Sequence, residues 1–183
     1  MITRYAIKVT ETIHSDDRSV EMIPVYFVEY FKHAGHLKSS NRAEKTFDTL
    51  AEAEAVVAEL PAKQGSGNYV LTLVYEVVAI EYTHANMHGW SDVTPFEIVR
   101  VVSPKTIEVR AMIAEQDESF KPEIIPGGFA GHCVNQGQQK WNYKSAPEGM
   151  VLRARLRKDG NFHSNFGKHV LSTEPRKFYD YNF

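Results

Sequence analysis

From residue 90 to its C terminus, this 183-residue chain shows almost no helical periodicity. Short runs rich in Val, Ile and aromatic residues alternate with turn chemistry instead. Phe96–Val102 and Thr106–Met112 flank Ser103-Pro104-Lys105, a hairpin signal. Ala146-Pro147-Glu148-Gly149 and Lys158-Asp159-Gly160 read as turns between further short strands at Lys140–Tyr143, Val151–Leu156 and His169–Ser172. Such a pattern cannot bury apolar surface by packing helices, so it has to curl a sheet. The expectation for residues 87–183 is therefore a mainly antiparallel β-barrel-like or curled-sheet domain. Within it, Glu115 to Phe129 carries Pro122, Pro126, Gly127 and Gly128 and reads as a long loop. The closing KFYDYNF is too aromatic for a solvated tail. It is expected to dock on the protein's own core or on a neighbouring subunit.

Residues 1–86 read differently. Tyr5, Ile7 and Val9 alternate with Ala6, Lys8 and Thr10 as in a half-buried strand. His14 to Asp17 is turn chemistry, and Val20 to Lys32 is a second strand, at an edge or bulged, because Pro24 cannot donate to a sheet. Gly35 to Asn41 reads as a polar loop. Asp48 is placed to cap a helix whose Leu50, Ala53, Val57 and Leu60 fall on one face and which stops before Pro61. Lys63 to Asn68 reads as a flexible link, and Tyr69 to Tyr82 as another long strand. The fold class predicted for the chain is α+β: an N-terminal ββαβ module, one helix on an antiparallel sheet, followed by the β-rich domain. Thr83 to Trp90 is the expected boundary.

Composition limits function more than it defines it. Hydrophobic residues make up 43% of the chain, enough for a core, and a single cysteine excludes an internal disulfide. The first residues hold no apolar segment of signal-peptide type, and Val77–Ile80 is too short to cross a bilayer, so a cytoplasmic protein without membrane contact is expected. Charge is unevenly spread. Residues 1–86 carry 8 Lys/Arg and 12 Asp/Glu, a net of −4, whereas residues 140–177 carry 9 and 3, a net of +6. A polyanionic partner would meet the second part, unless the basic residues only keep a surface solvated.

Three sets of residues could carry chemistry. Arg153, Arg155 and Arg157 share one strand face by the period of two, opposite Leu152, Ala154 and Leu156. With Trp141 and Tyr143 nearby in sequence, they resemble the cation-plus-aromatic surfaces that hold nucleotides or single strands. GGFAGHCVNQGQQKW adds Asn135 and Gln136, amides suited to base edges or ribose hydroxyls, or simply to satisfying loop backbone. The same stretch holds Cys133, a candidate reactive thiol. Its neighbour His132 points to the opposite face of an extended segment, so a base would have to come from His163 or His169; the alternative is a small buried apolar residue. His84 and His88 are four apart, but the segment makes a poor helix, and no metal-ligand set or cofactor is expected. Phosphate-loop and dinucleotide fingerprints are lacking.

Residues 89–183, with GWSDVTPFEIVRVVSPKTIEVRAM, Phe120-Lys121-Pro122-Glu123, GGFAGHCVNQGQQKW and KFYDYNF in that order, resemble a group of small uncharacterised β-rich proteins of bacteria, phages and prophages. The resemblance brings no activity or catalytic residue. It implies an accessory protein or host-defence antagonist acting in the host cytoplasm. The function expected is non-enzymatic binding of a nucleotide-like or polyanionic ligand, or nucleic acid, by the C-terminal domain. Two alternatives stay open: a protein–protein inhibitor of a host protein or an oligomerisation module, and a Cys- or His-dependent enzyme.

Overall fold

The computed structural model describes residues 1–15, 18–31, 36–40, 45–66, 69–127 and 131–182. Asp16, Asp17, Lys32, Gly35, Asn41, Asn68, Gly128, Phe129 and Phe183, which enter the readings above, lie outside the described residues. The chain forms two compact units, Thr3–Glu81 and Met1–Ile2 with Tyr82–Phe183.

In the first unit the order is β1 (Ile2–Ser15), β2 (Arg18–Glu21), β3 (Val25–Phe31), β4 (His36–Ser40), α1 (Leu50–Ala58), β5 (Lys63–Ser66) and β6 (Tyr69–Tyr82). These strands make one curved sheet, half of a barrel, in the order β4-β3-β1-β6-β5 with β2 paired to β1. Helix α1 starts at Thr49, whose hydroxyl accepts from the Glu52 N–H while the Glu52 carboxylate accepts from the Thr49 N–H, a closed capping box. The cap is therefore Thr49 rather than Asp48. The helix buries Ala53 against Ile7, Val9, Phe27 and Leu73, whereas Leu50 faces solvent. Pro24 falls in the gap between β2 and β3, where no pairing is lost.

The second unit contains β7 (His84–His88), β8 (Val93–Thr94), β9 (Phe96–Ser103), β10 (Thr106–Ala111), β11 (Ile113–Gln116), β12 (Ile124–Ile125), β13 (His132–Cys133), a 3-10 turn at Gln136–Gln138, β14 (Trp141–Lys144), β15 (Val151–Leu156), β16 (Phe162–His163) and β17 (Lys168–Ser172). Strands β7, β9, β10, β15, β16 and β17 pair in that order, and β17 returns to β7, which closes a six-stranded antiparallel barrel. Closure removes exposed sheet edges. Its interior is filled by Ala85, Phe96, Ile107, Val109, Ala154 and Phe162, with Leu152 and Leu156 packed against them. Strands β11 with β14 and β12 with β13 form two small separate sheets. No helix among the described residues is long and apolar enough to cross a membrane.

The α+β class is thus corrected. Strand makes up 55% of the structure and helix 8%, so the chain is mainly β, and no ββαβ module is present. Among the described residues of the first unit, four strands precede α1 and two follow it. The misread segments are polar. His36–Ser40 and Lys63–Ser66 lie at the two ends of the first sheet, where a strand needs only backbone pairing on one side. His84–His88, read as a boundary, is a wall strand of the barrel. Glu115–Phe129, read as loop, includes the end of β11 and all of β12.

Candidate functional site

Strand β15 follows the period of two closely. Ala154 is fully buried with Leu152 and Leu156 toward the core, and Arg153, Arg155 and Arg157 are exposed on the outer face. Register decides what stands beside them. Arg153 pairs across β10 with Glu108, which in turn faces Arg100 on β9. The Glu108 carboxylate accepts from Arg100 Nε at 3.0 Å and from Arg153 at 3.0 Å, and these bonds hold it below the usual carboxylate range. Arg153 is therefore partly neutralised. A second row runs Thr106, Arg155, His163, Lys168, His88 across β10, β15, β16, β17 and β7. Residues opposite one another in antiparallel strands project to the same face, so this row is a belt on the outside of the barrel that carries two cations, Arg155 and Lys168, and two imidazoles.

Along β15, strand β16 pairs with Arg155 and Leu156. Beside β15 lies a groove of about 350 Å³, lined by Arg153, Arg155, Arg157, His163, Ser164 and Asn165. Among the described residues, Arg155 and Arg157 form no ion pair with a carboxylate. The turn above the groove is shaped by Gly160, whose φ of 76° disfavours any side chain. There Asp159 accepts from His163 Nε2 at 2.9 Å and from the Asn161 N–H at 3.2 Å. Those bonds, the His163 one first, pull the Asp159 carboxyl down to about 2. Asp159 thus fixes His163 Nε2 as a donor and brings one negative charge to the rim.

Behind the groove, His169 is fully buried in the barrel. Its Nδ1 lies 3.2 Å from the Ala85 carbonyl and its Nε2 2.9 Å from Ser164 Oγ, and Phe96 meets the ring edge-on at 4.9 Å. A carbonyl only accepts, so Nδ1 carries the proton and the Ser164 hydroxyl donates to Nε2. Desolvation holds the ring below its ordinary value, hence neutral. A serine hydroxyl on a neutral imidazole has the form of a nucleophile–base pair. With no exposed surface, however, this ring cannot reach a leaving group, and the pair is a satisfied core contact.

The other sequence-predicted residues lie elsewhere. Asn135 accepts from the Glu123 N–H at 2.9 Å and donates to the Lys121 carbonyl at 2.8 Å. Gln136 accepts from the Tyr181 N–H at 3.1 Å, and the Tyr143 hydroxyl accepts from the Lys177 N–H at 2.9 Å. Trp141 donates to Gln139 at 3.2 Å and carries Lys177 over its ring at 6.0 Å. These groups fasten the loop and the C-terminal tail, whose Phe178 also pairs with Val93. The tail docks on its own barrel unit. None of these four residues lines the arginine groove. Asn135 instead lines a smaller cavity of about 250 Å³ with Ser119, Phe120, Lys121, Glu123, Gln138 and Lys140.

Cys133 is buried, and its sulfur lies 3.4 Å from Asn135 Oδ1, not against a histidine. His84 and His88 share the outer face of β7, and burial lowers both. Among the described residues, no three His, Cys, Asp or Glu side chains are grouped to hold a metal ion. Sequence reasoning did not join Ser164, Asn165 and Lys168 to the arginines. Their only signal was proximity in sequence, and cross-strand register supplied the rest.

The sequence matches no family model, and no curated protein or solved structure is significantly similar to it. The site therefore rests on its own geometry.

Proposed function

We propose that the barrel unit is a non-enzymatic binding module for a polyanionic, phosphate-bearing ligand held at Arg153, Arg155 and Arg157. The observation behind this reading is the groove itself: three guanidiniums line it, two of them without a carboxylate among the described residues. Guanidinium forks match phosphate oxygens in planar, bidentate geometry. Asn165 adds an amide donor, whereas the Ser164 hydroxyl and His163 Nε2 are already committed to His169 and Asp159; the Asp159 and Glu108 carboxylates act as counterweights that limit tight binding to multiply charged ligands. The loop amides and Trp141 and Tyr143 are already engaged within the chain, so they play no part in this proposal.

The test uses inorganic polyphosphate as ligand and follows its affinity against salt for the full chain and for Arg155→Ala with Arg157→Ala. The wild type should bind with a marked salt dependence. The double variant should bind more weakly, with a slope reduced by about one for each cation removed. An unchanged affinity and slope would sink the proposal.

A further inference from the structure

Two aromatic side chains stand fully out of the barrel at one end: Trp90, 93% exposed, and Phe166, 63% exposed. Trp90 belongs to the β7–β8 turn, closed by the Gly89 N–H on the Asp92 carbonyl at 2.9 Å. Phe166 belongs to the β16–β17 turn, closed by the Ser164 N–H on the Gly167 carbonyl at 3.0 Å. The register puts Lys168 opposite His88, so both turns leave adjacent strands at the same end. A side chain in place of Gly167 would meet Met87 and the His88 carbonyl, so the two turns lie near each other. Phe166 follows directly on Ser164 and Asn165 of the groove wall, and its N–H is held by Ser164 Oγ at 3.2 Å.

Alongside these two turns runs the belt of Arg155, His163, Lys168 and His88, one residue from each of four neighbouring strands. At the usual strand spacing it covers about 14 Å. Arg176 adds positive charge near its far end, acting on His88 together with Lys168. Exposed aromatics cost solvation unless something covers them, and two beside a belt that carries Arg155 and Lys168 match a chain that alternates phosphates with flat apolar rings. A duplex hides its bases and offers nothing to stack.

Building on the reading of the arginine groove, we infer that this face binds single-stranded nucleic acid: phosphates follow the Arg155–Lys168 belt, and bases stack on Phe166 and Trp90.

The experiment compares four ligands on the full chain: fluorescein-labelled dT12, U12, a 12-base-pair duplex and inorganic polyphosphate. Trp90→Ala and Phe166→Ala alter only exposed side chains, so both variants should fold. Each should weaken dT12 and U12 binding roughly 5- to 150-fold and leave polyphosphate binding unchanged. Arg155→Ala with Arg157→Ala should weaken all single-stranded and polyphosphate binding. Equal affinity for the duplex, or oligonucleotide binding insensitive to both aromatics, would overturn the inference while leaving the groove reading intact. Polyphosphate binding insensitive to the arginines would overturn the groove reading itself. Binding to neither oligonucleotides nor polyphosphate would overturn both.

Discussion

Asn182, next to the C-terminal residue, is a small side chain with a large structural assignment. In the β12–β13 pair, Val134 N–H donates to the Glu123 carbonyl, which leaves the N–H and C=O of Cys133 pointing to the other edge. Asn182 closes both: its Oδ1 accepts from Cys133 N–H at 2.6 Å and its Nδ2 donates to the Cys133 carbonyl at 3.1 Å. The amide thus stands in for a third strand. Each such bond is worth about 0.5–1.5 kcal/mol net. Asn182→Ala should therefore destabilise the local closed state by about 1–2 kcal/mol, since water replaces part of what is lost. The thiol of Cys133, the only cysteine, is 2% exposed and reports that opening. Under native conditions, a thiol-specific reagent should label the variant about 5- to 30-fold faster than the wild type, while the global unfolding midpoint moves far less. Labelling at the wild-type rate would show that Asn182 does not hold this segment and that the tail's docking rests on other contacts.

Three further outcomes follow from the barrel. His169 is held below its ordinary 6.5 by burial, so the unfolded chain takes up that proton first as pH falls. Urea stability should be level above about pH 7 and fall through 6.5 toward pH 5.5, with His84 and His88 adding in the same direction; a rise over this window would contradict the burial argument. Glu108→Gln should release both Arg100 and Arg153, raising polyphosphate affinity and steepening its salt dependence, and weaker binding would count against the groove. Phe162, 1% exposed between Leu156 and His169, should cost about 3–5 kcal/mol as Phe162→Ala in denaturant unfolding, and a loss below about 1 kcal/mol would contradict its place in the core.

Particular segments show what can be read from residues alone. The alternation of Leu152, Ala154 and Leu156 with Arg153, Arg155 and Arg157 fixes two faces, because side chains in any strand point alternately. The same holds for the hairpin around Ser103-Pro104-Lys105 and for the aromatic excess of the tail. His36–Ser40, Lys63–Ser66 and His84–His88 left no comparable trace. Their pairing uses backbone groups that every residue carries, so polar composition hides it. For the same reason the helix around Ala53 stands out in the sequence and points to an α+β class that the strand content overturns.

Residue order alone settles that the second half of the chain is β-rich, which strand faces are apolar, and that positive charge concentrates there. Long-range pairing brings β17 back to β7 to close a barrel and sets Arg155, His163, Lys168 and His88 in one row. It also engages Asn135, Gln136, Trp141 and Tyr143 in hydrogen bonds with their own loop and tail. The physical reason is that facing is a local property with a period of two residues, whereas register depends on distant backbone groups that look alike until they are paired.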